Sequence, residues 1–124
     1  MKNKHVLLGK RAIDPFKGSI DVIGGFVDRN ESVEETVRRE ALEETGLSIE
    51  ITKYLGSAYD TYGQADKPLV CMAFVARVLN ASEEPKANDD VADLFWHPLK
   101  AEMPKFEFTS AKFFYKLLQA ELAS

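Results

Sequence analysis

The sequence predicts an α/β fold, a sandwich of helices around a mixed β-sheet, in a single domain that spans residues 1–124. Three observations support this prediction. Several short apolar runs are rich in β-branched and aromatic residues, as is typical of strands. Two other segments carry apolar residues at helical spacing. The strands and helices do not alternate regularly, so a purely parallel sheet is not expected.

The first half of the chain contains two predicted strands and the best-marked helix. Strands are predicted at residues 5–10 and 19–23, with a turn at 14–18, and the second strand leads into Gly24-Gly25 and a loop at 26–31. Ser32 and Glu35, three residues apart, form a capping box at the start of a helix. Gly46 is the residue type that ends helices in the left-handed conformation. The helix is therefore predicted to lie between Ser32 and Gly46.

The second half is predicted to contain three strands and a final helix. We expect a strand at 49–59 with a bulge at Gly56, a buried strand at 69–79, a loop at 80–90, and a strand at 91–96 that stops before Pro98. Ser110 is the predicted cap of the last helix. Its apolar residues recur at helical spacing at Phe113, Phe114, Leu117, Leu118 and Leu122.

Charge and composition limit the classes of function. Twenty acidic and 16 basic residues give a net charge of −4, so a surface for duplex nucleic acid is not expected. No run approaches the roughly 20 apolar residues of a membrane span, and the apolar run after the N-terminus is too short for a secretory signal. Cys71 excludes an internal disulfide and is expected to be a buried, unreactive thiol. His5 and His97 are too isolated for a histidine site. These features predict a cytoplasmic enzyme.

The helix that begins after Ser32 has acidic residues near its core-facing side. On a helical wheel, the stripe that should face the core contains Val33, Val37 and Ala41. Glu44 falls within the same arc, Glu40 lies at its margin, and Glu43 is further round on the same side. Like charges one turn apart repel each other, and partial burial adds a desolvation penalty.

Two interpretations of this acidic edge stay open at this point. Mg²⁺ suits a partial set of hard oxygen ligands on a rigid helix, because it keeps water and phosphate oxygens in its other positions. Alternatively, Arg38 and Arg39 neutralise the glutamates through salt bridges. Helix geometry alone does not separate a metal site from a salt-bridged surface.

A wider pattern around this helix resembles the Nudix box. Gly25 is followed by five residues, Glu31, seven residues, and then Arg39-Glu40-Ala41-Leu42-Glu43-Glu44-Thr45-Gly46-Leu47. Every polar and glycine position of that 23-residue pattern is met, and the soft departure is Ala41, where a larger aliphatic residue is common. The resemblance implies a Nudix fold, an α/β/α sandwich in which the box forms a loop–helix–loop.

The resemblance also implies roles for individual residues in a Mg²⁺ site, where Mn²⁺ could substitute. Glu40 and Glu44 would be the main metal ligands, with Glu43 a further ligand or a supporting acid. The carbonyl of Gly24 would complete the site. Glu31 and Arg39 would hold the loop against the helix and orient Glu40.

The implied reaction is attack by water on one phosphorus of a diphosphate, with metal ions stabilising the phosphate charge. The general base is either a box glutamate, Glu44 or Glu43, or a carboxylate from a distant loop. The loop candidates, of which Asp90 is preferred, are Glu83, Glu84, Asp89 and Asp90.

The chain departs from the family pattern at three places. Ile23 and Asn30 replace a common proline and glycine, and neither change removes a ligand. Relatives usually have a further strand before the one that contains Val6, whereas five residues precede Val6 here. We therefore expect either a truncated start or a sheet edge covered by a partner, so a homodimer is a prediction.

The segment Gly24-Gly25-Phe26-Val27-Asp28 resembles that of family members that act on ADP-ribose or NADH, which implies such a substrate, although the downstream signatures of both groups are absent. Phe16, Tyr59 or Tyr62 could stack on a base. The cations that could meet phosphate are Lys10, Arg11 and Lys17. Three alternatives stay open: hydrolysis of nucleoside triphosphates or dinucleoside polyphosphates, a regulatory module that binds nucleotides without catalysis, and an interaction protein with an acidic helix.

Overall fold

A computed structural model describes residues 1–62 and 67–123, with backbone alone for Tyr62, Lys67, Leu122 and Ala123. It contains five strands and two helices. In chain order these are β1 (His5–Arg11), β2 (Ile20–Val22), α1 (Val33–Thr45), β3 (Ile49–Tyr62), β4 (Lys67–Val78), β5 (Val91–Pro98) and α2 (Thr109–Ala123). Neither helix combines the length and the apolar composition that crossing a bilayer requires.

The strands form two antiparallel sheets. One has the order β2-β1-β5, so β1 is its central strand and is paired on both sides. The other is the long hairpin of β3 and β4. The predicted α/β class is confirmed. In the described part of the chain, parallel pairing occurs at a bridge between Ile20 and Phe106. The buried core joins β1 to α2 and to the segment between β5 and α2; its residues are Leu8, Leu99, Phe106, Ala111, Tyr115 and Leu118.

Helix α1 has the predicted caps. The Ser32 hydroxyl accepts a hydrogen bond from the Glu35 amide at 3.1 Å, and the Glu35 carboxylate accepts one from the Ser32 amide at 3.0 Å. Gly46 has φ +73°, and its amide donates to the Leu42 carbonyl at 2.9 Å. A left-handed residue is tolerated there because glycine has no Cβ. These caps fix where the helix starts and ends, and therefore where its glutamates lie.

The hairpin differs from the prediction in its burial and in the bounds of its strands, since β4 spans Lys67–Val78. The strand at 69–79 was predicted to be buried, but Val70 is 79% exposed and Met72 is 45% exposed. The prediction was wrong because a two-stranded sheet packs on one face and leaves the other in solvent. β3 also continues to Tyr62, three residues beyond the predicted end. The bulge predicted at Gly56 is confirmed by the register shift between Tyr54 and Gly56.

Two predicted element boundaries were wrong near the C-terminal part of the chain. β5 includes Pro98, which an outer strand tolerates because one of its edges needs no amide donor. α2 begins at Thr109, so Ser110 lies inside its first turn and is not the cap. The cap comes from β3 instead: a carboxylate oxygen of Asp60 accepts a 2.8 Å hydrogen bond from the Ser110 amide. The helix is thus capped by a carboxylate 50 residues away in sequence and not by the predicted Ser110.

Candidate active site

A cleft of about 770 Å³ separates the two sheets and opens beside α1. Its apolar wall comes from the inner faces of both sheets. Its polar groups are concentrated where β2 leads into the glycine pair and where α1 faces the hairpin. The acidic residues that line it are Asp21, Asp28, Glu40, Glu44, Asp60 and Asp90.

Glu44 is the most buried of the box glutamates, at 6% exposure. One of its carboxylate oxygens accepts a hydrogen bond from the Gly24 amide at 3.2 Å. Burial, followed by the nearby negative charge of Glu40, raises the pKa of Glu44 to about 8. In the described residues no lysine or arginine forms a salt bridge with it. A buried carboxylate in this position is unfavourable when ionised unless a cation approaches from the cleft.

Glu40 lies one turn before Glu44 and is held from two sides. Its Oε1 accepts a 2.9 Å hydrogen bond from Arg39 Nη1. On its other side is Gly25, where a Cβ atom would come within 2.5–2.6 Å of both carboxylate oxygens. Glycine is therefore required at position 25 for Glu40 to occupy this place. Burial raises the pKa of Glu40, and the hydrogen bond from Arg39 opposes that effect.

Arg39 joins the loop to the helix. Its Nε donates to Glu31 Oε2 at 2.7 Å, and its Nη2 donates to the Phe26 carbonyl at 3.4 Å. The same guanidinium donates to Glu43 Oε2 at 3.1 Å. Glu31 also accepts a 2.9 Å hydrogen bond from the Thr36 hydroxyl, and the hydrogen bond from Arg39 lowers the pKa of Glu31. The loop that carries Gly24 and Gly25 is thus fixed to α1 through Arg39, in addition to the hydrogen bond between the Gly24 amide and Glu44.

Arg39 satisfies the salt-bridge interpretation of the acidic edge for Glu43 and Glu40 but not for Glu44. Arg39 neutralises Glu43 and contacts Glu40, as the salt-bridge interpretation requires. It does not pair with Glu44. Across residues 1–62 and 67–123, no three acidic, histidine or cysteine side chains converge into a ready-made metal cage. Glu40 and Glu44 are nevertheless a partial oxygen set of the kind Mg²⁺ uses, since that ion retains water and phosphate ligands.

The loop before β5 brings one of the four base candidates, Asp90, to the cleft. Its backbone is tied down by the amide of Asn88, which donates to the Glu44 carbonyl at 3.2 Å, and by the carbonyl of Asp90, which accepts from the Ala12 amide at 2.8 Å. The charge of Asp89 contributes to the raised pKa of Glu40, and that of Asp90 to the raised pKa of Glu44. Glu83 and Glu84 are exposed, and neither lines the cleft.

Some of the residues predicted to bind substrate line the cleft, and others lie outside it. Lys10 and Arg11 line the cleft. Phe16 stands beside it, with its ring edge-on to Phe108 at 5.1 Å between centroids. Lys17 is exposed in the loop after β1 and does not line the cleft. The other aromatic candidates, on the hairpin, are Tyr59 and Tyr62.

Tyr59 is 64% exposed and lines a shallow groove beside Phe113, outside the cleft. The prediction for the side chain of Tyr62 lies outside the described residues. Arg11 is engaged by protein groups: it pairs with Asp21 at 3.1 Å, and its guanidinium lies 5.2 Å from the centroid of the Phe108 ring. These contacts leave its predicted role in phosphate binding without support.

Sequence reasoning missed three residues that contribute to the cleft. Asp21 lies within the otherwise apolar run Ile-Asp-Val-Ile, which is a weak signal that could have been noticed. Asp60 and Phe108 carry no comparable signal. Neither residue belongs to a recognisable sequence motif. Both line the cleft because of how β3 and α2 pack.

Comparisons with known proteins agree with this architecture. The NUDIX domain family model matches residues 1–117. An ADP-ribose pyrophosphatase from Methanocaldococcus jannaschii is 36% identical over 115 residues, which are 90% of this chain. The chain spans 64% of the length of that relative.

Solved structures share the fold. A MutT NUDIX hydrolase from Burkholderia pseudomallei superimposes with a TM-score of 0.80 at 24% identity, covering 94% of this chain and 90% of that one. The NUDIX domain of Shewanella oneidensis NrtR, solved in complex with ADP ribose, superimposes with a TM-score of 0.72 at 26% identity, covering 95% and 77%. Since the family model covers nearly the whole chain and two glutamates of the box, Glu40 and Glu44, line the cleft, the chain belongs to the Nudix family.

Proposed function

We propose that this protein is a Mg²⁺-dependent hydrolase that cleaves the diphosphate of ADP-ribose into AMP and ribose 5-phosphate. The observation that carries the proposal is Glu44, a buried carboxylate beside Glu40 that arginine does not neutralise. The name of the M. jannaschii relative supports ADP-ribose as the substrate. The NrtR domain, which has the same fold, was solved with ADP ribose bound.

Glu40 and Glu44 would hold the metal, and the carbonyl of Gly24 stays a predicted third ligand. When bound, the ion supplies charge neutralisation at the diphosphate and acidifies a bound water, and Mn²⁺ is expected to substitute. Arg39 keeps Glu40 oriented, and the absence of a side chain at Gly25 leaves room for its carboxylate. Glu43 is 44% exposed and is bonded to the Arg39 guanidinium. Its role would therefore be to hold Arg39 in position.

We assign the general base to Asp90. Glu44 is committed to the metal in this proposal, so its carboxylate is not available to accept a proton from water. Asp90 lines the same cleft, and the hydrogen bond from the Ala12 amide to its carbonyl fixes its backbone. Its carboxylate would take the proton of the attacking water, a role that requires a carboxylate within reach of the reaction.

A substrate panel tests the activity. ADP-ribose, NADH, a dinucleoside polyphosphate and oxidised dGTP are incubated with the protein in Mg²⁺, Mn²⁺ or EDTA, and the release of mononucleotide is measured by chromatography. We expect ADP-ribose to have the highest kcat/KM and EDTA to abolish turnover. Absence of hydrolysis with every substrate in both metals contradicts the proposal, and binding without turnover would identify a regulatory module.

Two variants on the same helix sharpen this test. Glu44→Gln should lower kcat by at least about 1000-fold, because it removes a charged ligand from the metal site. Glu34→Gln is the matched control, since Glu34 is an exposed residue of the first turn and is not among the cleft residues. A Glu44→Gln protein as active as Glu34→Gln would overturn the assigned mechanism.

Two broader predictions from the sequence accompany this proposal. The cytoplasmic location stays a prediction, which fractionation of cells that express the full protein would test. The homodimer also stays a prediction, and its measurement is sedimentation equilibrium across a range of protein concentrations.

A further inference from the structure

A charge pair inside the cleft has no part in the hydrolysis described above. Arg11 Nη1 lies 3.1 Å from Asp21 Oδ2, and the two side chains are 14% and 18% exposed. Both residues line the cleft. Burying an ion pair is a poor way to stabilise a fold, because the desolvation penalty offsets most of the attraction. The position of the pair in the cleft therefore calls for a functional explanation.

Both partners are held in place by further contacts. Arg11 Nε donates to the Pro15 carbonyl at 2.6 Å, and the guanidinium lies over the ring of Phe108. Asp21 Oδ1 accepts a 2.8 Å hydrogen bond from the Val22 amide. Each carboxylate oxygen has a second lone pair that these contacts do not use. Asp21 is thus a rigid hydrogen-bond acceptor at the cleft wall.

The chain fixes how far this acceptor is from the metal-binding acids. Asp21 precedes Gly24 by three residues, so their Cα atoms are at most about 10 Å apart. The amide of Gly24 in turn contacts Glu44. Asp21, Glu40 and Glu44 line the same cleft, so a sugar attached to a diphosphate bound at Glu40 and Glu44 is expected to lie within reach of Asp21.

We propose that Asp21 accepts hydrogen bonds from the ribose hydroxyls of the nucleotide and that the Arg11–Asp21 pair makes the site reject a 2′-phosphate. This inference rests on the proposed function. A carboxylate is a suitable acceptor for a ribose hydroxyl, whereas an arginine beside the sugar would favour a 2′-phosphate. Here the arginine is already neutralised by Asp21, and an ionised Asp21 repels added negative charge.

The test compares ADP-ribose with its 2′-phosphorylated form. We expect the parent protein to prefer ADP-ribose by at least about 100-fold in kcat/KM. In Asp21→Asn this preference should fall at least about tenfold, because the amide no longer repels phosphate. For ADP-ribose itself, the variant should raise KM about tenfold and lower kcat by less than about threefold, since a charged acceptor is replaced by a neutral one. Asp93→Asn on β5, an exposed aspartate that does not line the cleft, is the control and should match the parent.

The outcomes separate this inference from the proposed function. A parent protein that hydrolyses both compounds equally well overturns the inference without any variant, and leaves the hydrolase proposal standing. An unchanged preference in Asp21→Asn, in a protein whose circular dichroism spectrum matches the parent, also overturns it. If the parent hydrolyses neither compound, the proposed function fails. Calorimetric binding of AMP and of adenosine 2′,5′-bisphosphate to parent and Asp21→Asn then tests the ribose contact alone, with the same loss of preference expected.

Discussion

Replacing Glu44 with glutamine should stabilise the metal-free protein at alkaline pH and remove its stabilisation by Mg²⁺. The folded protein holds the pKa of Glu44 at about 8, against an ordinary value of 4.5. The folded state therefore binds this proton more tightly than the unfolded chain does. The associated stability is fully present below about pH 4.5 and is lost as the pH rises to about 8.

The size of this effect follows from the two pKa values. Their difference corresponds to at most about 5 kcal/mol of unfolding free energy. Water that enters the open cleft reduces the desolvation penalty, so we expect about 2 kcal/mol. The glutamine variant has no charge to bury and can still accept the hydrogen bond from the Gly24 amide. At pH 9 in EDTA, its melting temperature should exceed that of the parent by about 8 °C, and at pH 5 the difference should nearly vanish.

Magnesium should remove most of the difference in stability between the parent and the glutamine variant at pH 9. If Mg²⁺ binds with a dissociation constant of about 1 mM and is present at about ten times that concentration, it stabilises the parent by about 1.4 kcal/mol. The glutamine variant should gain little. The assay is thermal unfolding followed by circular dichroism at pH 5, 7 and 9, with EDTA or MgCl₂. Glu43→Gln is the control, because Glu43 is exposed and paired with Arg39, and it should show no alkaline gain. If Glu44→Gln and Glu43→Gln behave alike, or if Mg²⁺ stabilises all three proteins equally, the argument from buried charge is wrong.

Three further substitutions test single contacts. Gly25→Ala should lower kcat at least about 100-fold with an unchanged circular dichroism spectrum, because the new methyl group displaces the Glu40 carboxylate. Arg39→Lys should lower kcat/KM about 10–100-fold, because an ammonium group cannot bond to three glutamates and a carbonyl at the same time. Parent-like activity of this variant would contradict the role of Arg39 in orienting Glu40. Asp60→Ala should lower the melting temperature by about 4 °C, because the Ser110 amide loses its cap, and urea unfolding should give a matching loss of about 1 kcal/mol.

The sequence alone determined the features whose interactions are local. The capping box at Ser32 and the left-handed Gly46 involve hydrogen bonds between residues three or four apart, so their spacing is visible in the chain. The same is true of the glutamates, whose relative placement is fixed by the geometry of one helix. The family pattern lies almost entirely within this segment. For that reason the box could be identified from a short stretch of residues.

The tertiary structure decided which of these local features meet. It separated Glu44, which no arginine in the described chain neutralises, from Glu43, which Arg39 binds; the helical wheel had left both interpretations open. It also paired Arg11 with Asp21 and used Asp60 to cap α2. Such contacts join residues 10 or 50 positions apart and depend on how two sheets and a helix pack. No periodicity in the sequence encodes that packing, because the residues that meet lie on different strands or helices.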